Sequence, residues 1–201
     1  LVIPDEADGK PVVKITEFAL GSAEYLKTIT VGKNVREIEG RAFMYCPALE
    51  KFAVADGNKY FETDDNGVLY TKGKTELVAY PAACVKLIKD ESGKAAGGAE
   101  LVVPDSVTAI RDAAFYLCDN LYTVTFPKGL ISVGNYAFFK CGNLQNFTLP
   151  DSLTAIGDDA FSYCDSLTAV TIPKNVKSIG NYAFFSLSSK IENITVLRPQ
   201  D

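Results

Sequence analysis

A repeated unit of 23 residues dominates this chain. The segment from Leu144 to Cys164 is one copy, and shifting it by 23 residues in either direction brings like residues together. The leucine that opens each unit and the phenylalanine near its end show this directly: Leu121, Leu144 and Leu167, and Phe138, Phe161 and Phe184. A fixed period of this length is typical of a solenoid, in which each unit forms one coil and buries its apolar face against its neighbours.

Each unit predicts two short strands and a short helix. Leu144 opens the unit, and the apolar residues Phe147 and Leu149 then alternate with a polar one, which favours a strand with one buried face. Pro150 ends that strand because proline has no N–H to donate to a neighbouring strand. A second extended piece reaches Ile156, and residues 160–164 then place apolar side chains at helical spacing. Stacked units of this kind make an α/β solenoid of mostly parallel short strands with short helices.

A non-repeating insert interrupts the pattern. Repeats cover residues 1–54 and 99–197, whereas residues 55–98 lack the period. Turn-forming residues divide the first part of the insert into three candidate strands: Tyr60–Thr63, Gly67–Thr71 and Glu76–Tyr80. We therefore predict a small antiparallel β-meander, followed by a mobile loop from Lys86 to Gly98. The whole chain, residues 1–201, is predicted to form one domain.

Two columns of small residues precede the predicted helices. One column alternates acid and amide: Asp112, Asn135, Asp158 and Asn181. Short side-chain oxygens accept hydrogen bonds from free amides at helix starts, so we interpret this column as helix N-caps rather than as catalytic acids. The other column holds Gly134, Gly157 and Gly180, which favours a turn with positive φ.

The chain contains five cysteines, four of which share one inward column. These are Cys46, Cys118, Cys141 and Cys164, and the first and last units have Ala23 and Leu187 instead. Replacement by alanine and leucine favours free, buried thiols, although disulfides or metal ligands are alternatives. Cys84 lies outside the column and is the candidate for a reactive thiol.

Composition excludes several classes of function. The chain has no histidine, which rules out Ser-His-Asp and Cys-His nucleophiles and histidine-ligated zinc. Its net charge of −5 argues against nucleic acid as the main partner. The apolar runs are too short to span a bilayer, so we expect no membrane insertion. No cofactor motif is present, and we predict no cofactor and no metal. The start at Leu1 is interpreted as a mature or trimmed fragment.

The units, read as Leu-x-x-Val/Ile/Phe-x-Ile-Pro-x-x-Val-x-x-Ile-Gly-x-x-Ala-Phe-x-x-Cys, closely resemble BspA-type leucine-rich repeats of bacterial surface and secreted proteins. The match covers Leu1–Val54 and Leu101–Val196, and Asn66–Tyr70 with Leu77–Pro81 resembles an element found between such repeats. The resemblance implies a curved, right-handed leucine-rich-repeat solenoid in an exported protein whose signal peptide has been removed. It also implies adhesion or host-protein binding, and it supplies no catalytic residues.

The outward positions of the strands are the main candidate binding surface, because repeat proteins commonly bind along such a face. With two tyrosines of the meander, the candidate partner-binding residues are Thr28, Thr30, Thr123, Thr125, Asn146, Thr148, Thr171, Asn193, Thr195, Tyr60 and Tyr70. A threonine column also simply suits β-structure. A further candidate is the column after the core phenylalanine, which includes Tyr116 and Phe139 and would lean outward on a helix.

These features predict a non-enzymatic recognition or adhesion module at the cell surface or outside the cell, binding a protein or a glycan. The alternative is a structural spacer that presents other domains of a larger surface protein. A hydrolase that uses Asp64 and Asp65 is a third hypothesis, which we disfavour because adjacent turn residues seldom converge on one bond.

Overall fold

The computed structural model of the protein describes residues 1–84, 87–89, 95–145, 147–186 and 191–198. The described residues form short strands connected by turns. In chain order the strands are β1 (Glu6–Ala7), β2 (Lys10–Pro11), β3 (Lys14–Ile15), β4 (Thr28–Val31), β5 (Glu37–Ile38), β6 (Lys51–Val54), β7 (Phe61–Thr63), β8 (Leu69–Thr71), β9 (Glu76–Ala79), β10 (Leu87–Lys89), β11 (Ala95–Val102), β12 (Ala109–Ile110), β13 (Leu121–Thr125), β14 (Ser132–Val133), β15 (Ala155–Ile156), β16 (Ala169–Ile172), β17 (Ser178–Ile179) and β18 (Asn193–Val196).

Stacked coils put each strand beside its counterpart one period later. The second strands of the C-terminal coils, β12, β14, β15 and β17, pair in parallel, with Ser132 opposite Ala109 and then Ala155. The N-terminal coils repeat this arrangement with β3 and β5. The first strands pair in the same way: β4 with β6, β11 with β13, and β16 with β18. The predicted solenoid and its period are confirmed.

The predicted helices are wrong: the described residues contain none. Alternate amides in this part of each coil bond to the next coil instead. The N–H of Phe138 donates to the carbonyl of Ala160 at 2.7 Å, whereas the N–H of Phe139 donates back to Tyr136 at 3.1 Å. An α-helix needs consecutive bonds from each residue to the fourth before it, so this alternation excludes one. The segment is a stack of β-turns bonded from coil to coil.

Left-handed backbone conformations make these turns possible. Tyr136 and Lys140 have φ of 55° and 57°, and Asp159 and Tyr163 repeat this in the next coil with 51° and 58°. Residues other than glycine adopt this region at a cost of roughly 1–2 kcal/mol each. The coil-to-coil hydrogen bonds offset that cost, because they satisfy backbone groups in a crowded, half-buried turn.

The Asp/Asn column accepts backbone amides, but not at a helix start. Oδ1 of Asp112 accepts the N–H of Asn135 at 2.8 Å, and Oδ1 of Asn135 accepts the N–H of Asp158 at 2.8 Å. Asn181 continues the series with a bond of 2.6 Å to Asp158. Each side chain therefore caps the following coil, and the helix N-cap interpretation is corrected to a ladder between coils.

The glycines beside this ladder allow close approach rather than positive φ. None of Gly134, Gly157 and Gly180 is among the glycines with positive φ, contrary to the prediction. A Cβ at Gly157 would lie 2.6 Å from the backbone nitrogen of Asn135, and one at Gly180 would lie 2.3 Å from that of Asp158. The column is glycine because neighbouring coils nearly touch there.

The meander, β7–β9, is built into the solenoid as an internal layer. Its strands pair antiparallel, as predicted, and β9 then pairs in parallel with β12, with Leu77 opposite Ile110. β9 thus continues the column of second strands. Its other side reaches the N-terminal coils, where the N–H of Phe52 donates to the carbonyl of Gly67 at 2.9 Å.

The meander contributes side chains to two hydrophobic clusters. Leu69 and Val78 belong to the cluster of the N-terminal coils, whereas Tyr70, Leu77 and Tyr80 belong to that of the C-terminal coils. Alternation along β8 and β9 sends neighbouring side chains to opposite faces. Both faces of the meander are therefore buried, and it joins the two halves of the solenoid.

A stack of aromatic rings runs through the C-terminal core. The ring of Phe138 lies between those of Phe115 and Phe161, with centroids 4.5 Å and 5.0 Å away and planes within 8° and 5° of parallel. Phe184 and Tyr80 extend the stack at its two ends. Tyr80 of the insert therefore fills the position that a repeat gives to its core phenylalanine.

The end of the insert is only partly described. Residues 87–89 and 95–98 of the predicted loop belong to β10 and β11, which pair antiparallel. For that part the loop prediction is wrong, and residues 90–94 lie outside the described residues. β11 also pairs in parallel with β13, so it carries the chain back into the repeat.

Candidate partner-binding surfaces

One column of the repeat in the C-terminal coils forms a strip of five exposed residues. We call it the strand face: Val102, Thr125, Thr148, Thr171 and Thr195. Val102 lies opposite Thr125, and Thr171 lies opposite Thr195, in paired parallel strands. Paired strands lie about 4.8 Å apart, so the two members of each of these pairs lie about that far from each other. Thr148 belongs to the same column of the repeat, but residues 147–150 form no strand in the structure. The strip is uncharged and offers a hydroxyl and a methyl group at nearly every step.

The remaining strand candidates differ in exposure. Thr28 and Thr30 are half-buried because residues 1–3 lie beside them, with Val2 bridged to Thr30. Thr123 is also half-buried, and its Oγ1 is enclosed without a hydrogen-bond partner among the described residues. Asn193 is exposed, and Asn146 lies outside the described residues.

The two candidate tyrosines of the meander differ in exposure. Tyr70 is fully buried, so it cannot contact a partner on the surface of this structure. Burial raises the pKa of its phenol, and the nearby Asp64 carboxylate raises it further. Its hydroxyl approaches Asp64 at 3.5 Å. Tyr60 is 48% exposed and precedes β7. The sequence predicted a strand at Gly67–Thr71, but it could not reveal that both faces of that strand are covered.

The aromatic column after the core phenylalanine lies mostly inside. Tyr116 and Phe139 stack at 5.2 Å with planes 8° apart, and Tyr116 is buried. Phe185 at the end of the column is 39% exposed. The predicted outward lean required a helix, and the turn stack turns these rings toward neighbouring coils instead.

All five cysteines are buried, and the four of the column, Cys46, Cys118, Cys141 and Cys164, are free thiols. The thiols of Cys141 and Cys164 donate to the carbonyls of Phe115 and Phe138 at 3.1 Å and 3.2 Å. Burial raises the pKa of the Cys164 thiol to about 12. Cys84, proposed as reactive, is also buried, and its Sγ donates to the carbonyl of Asn66 at 3.4 Å. The interpretation of the column as free, buried thiols is confirmed.

A cleft that the sequence did not predict lies where the two halves of the solenoid meet. It has a volume of about 480 Å³, and its lining includes Arg36, Glu37, Arg111, Asp112 and Ser132. We call it the junction cleft. Its signal in the sequence was Arg111, which stands where the three later coils have Gly134, Gly157 and Gly180.

The described residues lack both a metal-binding cluster and a membrane-spanning helix. They contain no group of three or more histidine, cysteine or acidic side chains placed to hold a metal ion. They also contain no helix long and apolar enough to cross a membrane. Asp64 uses Oδ1 to accept the amides of Asn66 and Val68, both at 2.9 Å, so it organises its own turn.

Solved structures with a similar fold are bacterial leucine-rich-repeat proteins. The pneumococcal vaccine antigen PcpA aligns with a TM-score of 0.74 and 23% identity over 97% of this chain and 50% of that one. A leucine-rich cell surface protein from Faecalibacterium prausnitzii aligns with a TM-score of 0.74 and 22% identity over 96% and 52%. This chain thus spans about half the length of either neighbour.

Sequence comparison gives the family. No curated protein matches the chain significantly. The family model for the BspA type leucine-rich repeat region matches in six copies, over residues 8–65 and 94–199. The matched stretches are the two sets of coils with the outer parts of the insert. This chain therefore belongs to the BspA-type leucine-rich-repeat family.

Proposed function

We propose that this chain is a non-enzymatic recognition or adhesion module that binds an extracellular protein or glycan through the strand face. The observation that carries the proposal is the exposed, uncharged strip formed by one column of the repeat, centred on Thr125, Thr148 and Thr171. A rigid row of small polar side chains suits broad contact, because little side-chain entropy is lost when a partner covers it.

The location outside the cell is part of the same proposal. One structural neighbour is named a vaccine antigen and another a cell surface protein, and both share this fold. The net charge of −5 and the absence of histidine support a partner other than nucleic acid and a role other than histidine-based catalysis.

A binding screen with one matched pair of variants tests the proposal. The purified chain is applied to immobilised extracellular matrix proteins and glycans, together with Thr148→Arg and Ser178→Arg. Both positions are exposed, but Thr148 belongs to the strand face and Ser178 to β17, in the ladder of second strands. Both substitutions add the same charge and bulk.

We expect Thr148→Arg to weaken binding of a true partner by at least about tenfold, because a buried, unpaired guanidinium is costly at an interface. Ser178→Arg should leave binding unchanged. Equal effects of the two variants would contradict the strand face as the binding surface. Absence of binding across the whole screen would favour the structural spacer instead.

A further inference from the structure

The junction cleft is formed by two ladders of strands that meet without pairing. Within the described residues β5 pairs with β3, and β12 pairs with β9 and β14. Residues of β5 and β12 nevertheless line the same cleft of about 480 Å³. A concavity of that size is within the range of sites that hold small ligands.

Close contacts fix one end of the cleft. A Cβ at Gly40 would lie 2.8 Å from the Cβ of Asp112, so the two halves nearly touch there. Gly134 is also part of the lining, and a Cβ at that position would lie 2.4 Å from Oδ1 of Asp112. The glycines therefore hold the carboxylate of Asp112 in a confined place.

Arg111 is held in a defined orientation on the wall of the cleft. Its Nε donates to Oε2 of Glu76 at 2.6 Å, its Nη2 lies 2.5 Å from the same oxygen, and its Nη1 donates to the carbonyl of Ile38 at 3.1 Å. A guanidinium carries five N–H donors, so two remain for a ligand. The group is already ordered, and a ligand would lose little entropy in using it.

The charged side chains that line the cleft differ in their partners: Glu37 and Arg111 form ion pairs, whereas the carboxylate of Asp112 is held by uncharged N–H groups. Glu37 pairs with Lys14 at 2.7 Å, and Asp112 accepts both the backbone and the side-chain N–H of Asn135 at 2.8 Å and 3.2 Å. Within the described part of the chain, Arg36 forms no ion pair. The cleft therefore offers one charged guanidinium that lacks a counter-charge there.

We propose that the junction cleft binds a carboxylate group, carried by an acidic sugar or by an acidic amino acid, through Arg36 and Arg111. Planar guanidinium groups match the geometry of a carboxylate and form the stronger, charge-assisted hydrogen bonds. Ser132, on the same lining, supplies a hydroxyl for a second polar group of the ligand. This site is separate from the strand face, so either proposal can fail without the other.

Amide chemical shifts in a two-dimensional NMR titration provide the test. The probes are sodium glucuronate and N-acetylaspartate amide, with glucose and N-acetylasparagine amide as their uncharged counterparts. The variant is Arg36→Gln, and the matched control is Lys128→Gln, which removes one positive charge from an exposed residue outside the cleft lining.

We expect at least one carboxylate probe to shift the amides of Ile38, Gly40 and Asp112, with binding weakened at least about tenfold in Arg36→Gln and unchanged in Lys128→Gln. Selective binding of glucuronate would identify an acidic sugar as the ligand, and selective binding of the aspartate probe would identify an acidic amino acid. The proposal is overturned if neither carboxylate shifts these amides, if the uncharged probes bind equally well, or if the two variants behave alike.

Discussion

The N-terminal and C-terminal coils share one repeat but are held together by different contacts. Five ion pairs link the N-terminal coils: Lys14–Glu37, Lys14–Glu39, Glu17–Arg41, Lys27–Glu50 and Asp5–Lys33. In the C-terminal coils Arg111 pairs with Glu76 of the meander, and the coils are joined to one another by the ring stack, the Asp/Asn ladder and buried thiols.

This difference shows that the same coil conformation can be held by different kinds of side-chain contact. Exposed ion pairs contribute little to stability, because water and salt screen them. Buried rings and confined hydrogen bonds contribute more. We therefore expect the C-terminal coils to be more stable than the N-terminal coils, to which the meander joins them.

The largest expected effect is at the centre of the ring stack. Phe138 is fully buried, so Phe138→Ala should lower the free energy of unfolding by about 3–5 kcal/mol through the lost burial and the cavity left behind. Phe43→Ala is the N-terminal counterpart, and since Phe43 is only half-buried the loss should be about 1–2 kcal/mol. Urea unfolding followed by circular dichroism measures both. A larger loss at Phe43 would reverse the comparison.

A third acid in the Asp/Asn ladder, placed between the two already there, should lower the stability of the fold. Asn135→Asp keeps the acceptor for the amide of Asp158, but removes the Nδ2 donor to Asp112 and places a charge between two acids. We expect a loss of about 1–2 kcal/mol at pH 7 that shrinks near pH 4, where carboxylates take up protons. Asn181→Asp, beside one acid, should cost less in the same thermal unfolding series. A pH-independent loss would argue against charge repulsion.

The buried thiols should make stability fall at alkaline pH. Folding raises the pKa of Cys164 to about 12, whereas an unfolded thiol titrates near pH 8.5. The folded state then binds more protons than the unfolded state above that pH, so this stabilisation is complete below about pH 8.5 and is lost as pH rises toward 12. When the pH is raised from 7.5 to 9.5, the free energy of unfolding should fall by about 1 kcal/mol less in Cys164→Ala than in the unsubstituted protein.

Substitution of a residue that does not titrate provides the control for the stability measurements at alkaline pH. Leu153→Ala removes a buried apolar side chain and should lower stability at every pH without changing the slope. If Cys164→Ala has the same pH slope as Leu153→Ala, the thiol titration does not contribute.

The smallest effect is expected at the N-terminal ion pairs. Hydrogen bonds to Glu37 and Glu39 raise the pKa of Lys14, and Lys14 lowers the pKa of Glu39. These groups are exposed, so Lys14→Met should shift the unfolding midpoint only slightly, and about 0.5 M sodium chloride should abolish the shift. The contribution of the Lys14–Glu39 ion pair to stability is lost as the pH falls through the lowered pKa of Glu39. A large, salt-independent shift would mean that packing of the lysine stem dominates.

The sequence predicted the solenoid because each column of the repeat maps to one place in the coil. Ile110, Val133 and Ile156 recur at the period and pair as second strands. The helix was wrong because alternate amides find partners in the following coil, as from Phe138 to Ala160, and a single unit does not show those partners.

The candidate sites were predicted less well, for two physical reasons. The predicted strand Gly67–Thr71 contains Tyr70, but a strand prediction carries no information on whether a core covers the face on which this side chain lies. The junction cleft arises where β5 and β12 meet across 72 residues of sequence, and the repeat pattern does not show that two such distant strands lie side by side. The exposed threonines of the strand face, by contrast, followed directly from the strand period.

Hydrogen exchange measured by mass spectrometry with residue resolution tests the comparison between the two halves most directly. Leu20 and Phe138 occupy the same column, and each donates its amide to the next coil, Leu20 to Ala42 at 3.0 Å and Phe138 to Ala160 at 2.7 Å. We expect the amide of Phe138 to exchange much more slowly than that of Leu20, since local opening is easiest where buried contacts are few. Equal rates, or slower exchange at Leu20, would contradict a more stable C-terminal half.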